Sequence, residues 1–472
     1  MSSGPRPPSR GAARGSSRAR PRSERRRSAR RRSTRDGPGG SSASPPRCRP
    51  SPPPTSRGWR RSGPEPPRAG FCRLAPGTGD GTPGAGESVR ALLVVPRLPG
   101  TGFTGDRVRA ELHLRALAAA GFEVTLVGGA PSAAAASRPG LADRVLPVAV
   151  TWRTAGPGLL RAACRGDALQ TALTEGRWDR ALAGAGREFD LVVVVLARLW
   201  PHVEAHLPRA PLVIDFVDAL SLAARQAAVT DPSAWRRRYW RHEAPRLQRL
   251  EAVAASRARA GIATTEADAA ALPGRVEVVP NGVEIGPAPP AGRGPVVAFS
   301  GRLKYRPNAL AAERLVREVW PLVRAGAPDA ELHLGGADAP GWLRRLPAGR
   351  GVHVETPVAD MRAFLRRARV AVVPVSLGTG TPNKLFEALE AGTPVVASPE
   401  AVSRATLFGQ APPASVADGA EATAAAILRL LSRPDEAEAL GAAGRRFVEE
   451  RADRGAVVER LAALFGEIAR EA

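Results

Sequence analysis

The chain has 472 residues, enough for about three domains at roughly one per 150 residues. Its 69 Lys+Arg against 45 Asp+Glu leave a formal net charge of +24, which taken whole suggests a nucleic-acid or anionic-surface binder. The charge is unevenly spread, however, since residues 1–88 hold 20 Arg and 5 acids, a net +15. Only two lysines occur, Lys304 and Lys384, so nearly every positive charge is Arg. Three cysteines (Cys48, Cys72, Cys164) make neither a disulfide framework nor a paired metal site. No apolar run reaches the roughly 18 residues of a spanning helix, and the basic N-terminus lacks the apolar stretch of a signal peptide. A soluble protein of the cytoplasm is expected.

Residues 1–87 are Pro, Arg, Ser and Gly in irregular order, with runs such as RRRSARRRS at 25–33. Such a segment cannot bury enough apolar area to offset its ordering entropy, so a disordered tail is expected. Two readings stay open for it: an electrostatic arm for nucleic acid or anionic lipid, or GC-rich sequence ahead of a true start near Val89. Trp59 and Phe71 are its only aromatics, too few for base stacking, so nucleic acid is not the expected partner.

At residue 88 the texture changes. VRALLVV (89–95) reads as a continuous apolar strand, and DRVRAELHLRALAAAG (106–121) as an amphipathic helix opened by Asp106 and closed by Gly121. Further strands are expected at FEVTLVGG, FDLVVVVL (189–196), PLVIDFV (211–217), AGIATT (260–265) and VEVVPN (276–281). GPAPPAGRG (286–294) reads as a linker. Beyond it come PVVAFSG (295–301), AELHLGG (330–336), VHVE (352–355), RVAVVPV (369–375) and TPVVASP (393–399). The chain closes with a helix at 455–470. Apolar strands alternating with helices argue for an α/β chain with parallel sheets covered on both faces. The expected order is a tail over 1–87, a first Rossmann-like domain over 88–285, a second over 286–455 and a C-terminal helix over 456–472. The two domains would face each other across a cleft, with the last helix returning to the first domain.

The first loop reads Gly100-Thr-Gly102-Phe-Thr-Gly105, a literal G-x-G-x-x-G between strand and helix. A dinucleotide site also needs an acid at the end of the second strand, where Val127-Gly128-Gly129 stands instead. A weaker reading survives. Gly102 and Gly105 let backbone amides approach an anion or sugar in the cleft.

The strongest signal is RVAVVPVSLGTGTPNKLFEALEAGTPVVAS (369–398). A strand leads through a Gly/Thr loop (Thr379, Gly380, Thr381) to a helix, expected to have Thr381 as N-cap and Pro382 first, ending at Gly392. Free amides of its first turn, with Asn383, favour a diphosphate. Lys384 and Glu387 are three apart on one face, a cation for phosphate beside a carboxylate for ribose hydroxyls. A plain surface ion pair is the competing reading. Glu390 falls on another face and serves as the control.

The six histidines show no pair with metal-ligand spacing, so no metal is expected. His113 reads as a packing or acceptor-cleft residue. The basic, aromatic segment 234–253 has two readings, a peripheral membrane surface or a packed helix with snorkelling Arg stems.

From about 89 to 470 the chain resembles family-4 glycosyltransferases of the GT-B fold. The resemblance rests on P-G-T-G-F-T-G-D-R-V-R, VIDFVDALS (213–221), T-T-E-A-D (264–268), VVPNGVE (278–284), FSGRLKYRPN (299–308), LHLGGA and NKLFEALEAGTPVVAS. It departs from the family pattern at Thr379, usually Glu, at Pro307, usually Lys, and at Val217, often His. The Y-x-P-N form (Tyr305, Pro307, Asn308) with N-K-x-x-E looks like a variant branch.

The resemblance implies a hexosyltransferase that moves a sugar from a nucleotide-diphosphate donor, with retention, without metal and with no other cofactor. The acceptor would be a glycan, a lipid-linked sugar or a small molecule. Glu387 is then expected on the donor ribose, with Arg302 and Lys384 on the diphosphate. Asp218 is expected at the acceptor hydroxyl, with Asp215 as its rival. Three other readings remain: a sugar-nucleotide epimerase of the same fold, a nucleic-acid binder using the tail, and a degenerate scaffold.

Overall fold

The computed structural model describes residues 88–99, 105–130, 140–149, 159, 162–172, 178–207, 209–289, 292–346, 350–375 and 380–471. The tail over 1–87, with Trp59 and Phe71, lies outside the described residues, as do Gly100, Gly102 and Thr379.

Two parallel sheets organise the described chain. The first contains β1 (Arg90–Val95), β2 (Glu123–Ala130), β3 (Arg144–Ala149), β4 (Leu191–Val195), β5 (Leu212–Val217), β6 (Ala260–Ala263) and β7 (Val276–Val278), in the order β3-β2-β1-β4-β5-β6-β7. The second contains β8 (Val296–Ser300), β9 (Glu331–Gly335), β10 (Val352–Glu355), β11 (Val370–Val373), β12 (Val395–Ala397) and β13 (Ser415–Val416), in the order β10-β9-β8-β11-β12-β13. Every pairing between these strands is parallel. The central strands are fully buried, as their uninterrupted apolar runs require when helices cover both faces. These are two Rossmann-like domains of the GT-B arrangement.

Two strands are absent from the sequence reading. β3 carries Pro147 and lies at the sheet edge, where a missing backbone donor is tolerated. β13 has two residues, too few to show a period.

Two arginines fasten the linker to the second domain. Arg445 donates to the carbonyls of Gly286 and Pro287, and Arg366 also reaches Pro287. The chain recrosses beside this linker, where Val283 and Arg454 exchange backbone bonds of 2.8 and 3.0 Å with residues 452 and 283. Gly282, at φ +67°, permits this approach, because a β-carbon there would stand 2.9 Å from Arg454 Cα. The final helix, Arg454–Arg470, then packs against Gly105–Ala119 in the first domain. Leu461 and Phe465 sit in that domain's core.

The basic segment lies within one helix, Ala234–Arg257, packed on the Leu220–Thr230 helix through Ala244 and Leu247. Among the described residues no helix is long and apolar enough to cross a membrane.

Candidate active site

In open parallel sheets, ligands bind beyond the carboxyl ends of the strands where the order reverses. Those points lie between β1 and β4 in the first sheet, and between β8 and β11 in the second. The loop leaving β8 begins Gly301-Arg302. It presses on the loop after β9 so closely that a β-carbon on Gly336 would stand 1.8 Å from the Gly301 carbonyl oxygen. Gly336 also adopts φ +147°.

Asn308 organises this corner. It is buried, and its Nδ2 donates to the Arg302 carbonyl at 3.0 Å while its Oδ1 accepts from Lys384 Nζ. The Lys384 ammonium also lies 5.2 Å from the centre of the Phe299 ring. Burial lowers the Lys384 pKa to about 8, although the nearby Glu387 charge opposes the shift. Glu387 is half-buried, and its carboxylate makes no hydrogen bond among the described residues. Burial pushes its pKa up, with Lys384 and Arg454 partly offsetting the rise. Arg302 differs from both. Its side chain is largely exposed and is held by Asp338, 2.7 Å away.

The helix carrying Lys384 runs Asn383–Glu390, and its cap position belongs to Pro382. Thr381 is therefore not the N-cap. Its hydroxyl donates instead to the Thr264 carbonyl of the first domain at 3.0 Å, an interdomain use that no local pattern signals. Asn383 Oδ1 accepts from Asn281 Nδ2 at 2.9 Å. A β-carbon on Gly105, the first residue of the first helix, would stand 3.9 Å from Asn383 Nδ2. Two helix N-termini thus converge on the cleft, each presenting amides and the positive end of a helix dipole.

Asp218 lies on the opposite wall, half-buried, just after β5. A β-carbon on Gly380 would stand 3.7 Å from its Cβ and 4.0 Å from its Oδ2. Burial and the Asp218 charge together raise the Tyr305 pKa. Beside them a cavity of about 320 Å³ is lined by Leu220, Ala224, Trp240, Tyr305 and Pro307. An ion pair between Arg306 and Asp231 spans the two domains at 3.3 Å.

Asp215 is no rival to Asp218. It is fully buried, pairs with Arg109 and His113, and accepts from the Val217 amide at 2.9 Å. Burial alone would raise its pKa, but Arg109 and His113 overcome this and hold the carboxyl well below the usual range. Arg109 also donates to the carbonyls of Val279 and Pro280, at 2.9 and 3.1 Å. His113 is a packing residue, 5.8 Å from the Phe465 ring, and burial lowers its pKa.

Glu390 occupies a different face, as expected of the control. It accepts from the Gly286 amide and Arg362 Nε, both at 2.9 Å, and faces Arg366 and Arg445.

Two cleft cations went unnoticed in the sequence. Arg198 follows β4 and feels the charges of Asp218 and Asp106, while burial lowers its pKa. Its position just past an apolar strand was a usable signal. Arg404 ends the Pro399–Arg404 helix close enough to Lys384 and Tyr305 to affect both titrations. In an Arg-rich chain, nothing local distinguishes it.

Residues 294–433 match the family model described as glycosyl transferases group 1. Comparison by sequence with curated proteins finds no significant match. Among solved structures, a sucrose-phosphate synthase from Thermosynechococcus elongatus aligns at TM-score 0.60 and 17% identity, over 81% of this chain and 100% of that one. The Anabaena protein HepE, crystallised with UDP and glucose, aligns at TM-score 0.58 and 14% identity, over 80% and 100%. WaaG, a glycosyltransferase involved in lipopolysaccharide biosynthesis, aligns at TM-score 0.57 and 16% identity, over 80% and 99%. At these identities the structural likeness speaks for the fold, while the family match speaks for the second domain. Residues 294–433 thus resemble glycosyl transferases of group 1, and the described chain shares the two-domain GT-B fold of these structures.

Proposed function

We propose that the chain transfers a sugar from a nucleotide-diphosphate donor, held by the second domain, to a hydroxyl group presented by the first. The observation that carries this reading is the Lys384 corner. An ammonium, a neighbouring carboxylate and a helix N-terminus share one end of the second sheet. The fold shared with HepE, which was crystallised with UDP and glucose, supports a uridine donor as the first to try.

Lys384 and the amides of the Asn383 turn would neutralise the departing diphosphate, with Gly380 and Thr381 beside it. Arg302 joins them by exchanging Asp338 for phosphate. This exchange costs little, since an exposed ion pair contributes about 0.2–1 kcal/mol. Glu387, whose carboxylate has no hydrogen-bonding partner among the described residues, would take two ribose hydroxyls. Cations and amides placed where charge develops lower the barrier without rearrangement, and removal of one such group costs about 10²–10³ in rate. This arrangement suits a reaction that needs no metal. Retention at the anomeric carbon is part of the proposal.

Asp218 would orient the acceptor hydroxyl or accept a hydrogen bond from it. Gly105 lies on the same side of the cleft, at the start of its helix. The acceptor is a glycan, a lipid-linked sugar or a small molecule.

A thermal-shift panel of UDP-, GDP- and dTDP-sugars on the full chain tests the reading. One nucleotide sugar should raise the unfolding midpoint, and Lys384→Ala and Glu387→Ala should each abolish the rise. A folded protein that responds to none of them would overturn it.

A further inference from the structure

Away from the cleft, the outer two strands of the second sheet bring together three residues far apart in sequence. β9 and β10 pair in parallel, with His353 opposite His333. The two-residue period of a strand places Glu331 on the same face as His333. His333 Nε2 lies 2.9 Å from Glu331 Oε2, and His353 Nε2 lies 3.8 Å from the same oxygen. The imidazole rings are 4.9 Å apart, and one donor atom from each residue lies within 4.8 Å of the other two. Glu331 and His353 are exposed and His333 is half-buried, so the three donors are open to solvent.

We propose that Glu331, His333 and His353 form a binding site for a divalent transition metal, with zinc the first candidate. Two imidazole nitrogens and one carboxylate oxygen form a borderline donor set that suits Zn²⁺, Ni²⁺ and Cu²⁺ better than Mg²⁺ or Ca²⁺. With zinc bonds of about 2.0–2.1 Å, tetrahedral donors stand roughly 3.3 Å apart. The observed 2.9 and 3.8 Å from the carboxylate oxygen to the two imidazole nitrogens bracket that spacing. Water completes the coordination from the open side.

The site's place in the fold suggests its role. β10 is an edge strand with β9 as its neighbour, and a shared ion would clamp one to the other. The donors lie along the outer strands and not in the Lys384 corner, so the clamp is structural and separate from sugar transfer. The 20-residue separation of the two histidines hides the pair in the sequence, and strand register creates it.

The test uses the full chain after treatment with a chelator. Isothermal titration with ZnCl₂ should show one equivalent lost in both His333→Ala and His353→Gln. Each loss should exceed the roughly 10- to 100-fold weakening that changes outside the ligand set cause. Co²⁺ should give visible d–d bands in the wild type that vanish in both variants. Circular dichroism checks folding, and the response to nucleotide sugars should be retained. Zinc affinity unchanged in both folded variants would overturn the proposal, because the binding would then belong to the cysteines or other histidines. No zinc uptake by the wild type would overturn it equally, leaving an ordinary Glu–His ion pair.

Discussion

Asn281 donates to Asn383 at 2.9 Å, joining the loop after the first sheet to the first turn of the helix that carries Lys384 and Glu387. The bond ties the cleft-facing end of that helix to the opposite domain. The proposed transfer needs the cations of the second domain and the acceptor hydroxyl in register, so this link should matter beyond its modest strength.

Asn281→Ala should therefore lower kcat about 2- to 10-fold, the range of a neutral hydrogen bond contributing about 0.5–1.5 kcal/mol. Steady-state kinetics with the donor identified by thermal shift will measure it. An unchanged kcat would show that the Thr381–Thr264 bond holds the register without it.

Lys384 should make donor binding sensitive to alkali. Its pKa is lowered to about 8 by burial, so the ammonium is lost as pH rises through that value. Donor affinity should fall above pH 8, approaching tenfold per pH unit. Lys384→Arg, which stays charged, should remove the inflection. Stability of the donor-free protein should move the other way. The folded pKa lies below the unfolded value near 10.4, so the unfolded state binds more protons between the two, and stability rises with pH across that window. Urea titrations of wild type and Lys384→Met across this range isolate the contribution.

Glu387 and Glu390 share a helix but should separate function from stability. Glu387→Gln removes an acid whose ionised form is disfavoured by burial, so stability should hold or rise while donor binding is lost. Glu390→Gln weakens a carboxylate that joins the Gly286 amide to Arg362, and should cost about 1–3 kcal/mol. Denaturation midpoints and donor-binding curves for both variants will show whether the two effects separate.

Asp215→Asn should be among the most destabilising single changes in the first domain. It leaves Arg109 charged and fully buried without its counterion, a loss of about 3–5 kcal/mol. The same network predicts acid lability in the wild type. His113 has a lowered pKa, so the unfolded state takes up its proton first, and stability falls as pH drops below about 6.5. Asp215, held low by its partners, adds a second loss below the ordinary carboxylate range. Chemical denaturation between pH 4 and 7 reads the first limb directly.

Much of this protein is legible in one dimension. Buried parallel strands must be apolar throughout, so runs such as LVVVV, VVAFS and VAVV mark the two sheets. The loop before Asn383 marks the helix that carries Lys384 because a turn and a helix start are local events. Lys384 stands out because the chain otherwise uses Arg for nearly every cation. Other features depend on where distant segments meet. Asp215 and Asp218 are three residues apart on one strand end, and nothing local separates a buried counterion from a cleft acid. Packing against Arg109 and His113 decides the first, and proximity to Gly380 across the domain boundary marks the second. Thr381 has the chemistry of an N-cap, yet a carbonyl of the other domain receives its hydroxyl. Local sequence thus determined the elements, the two sheets and the charge of the helix that carries Lys384. Tertiary structure decided which charges are neutralised in the core, which face the cleft, and which histidines become neighbours, because these depend on register and burial between segments that the chain order keeps apart.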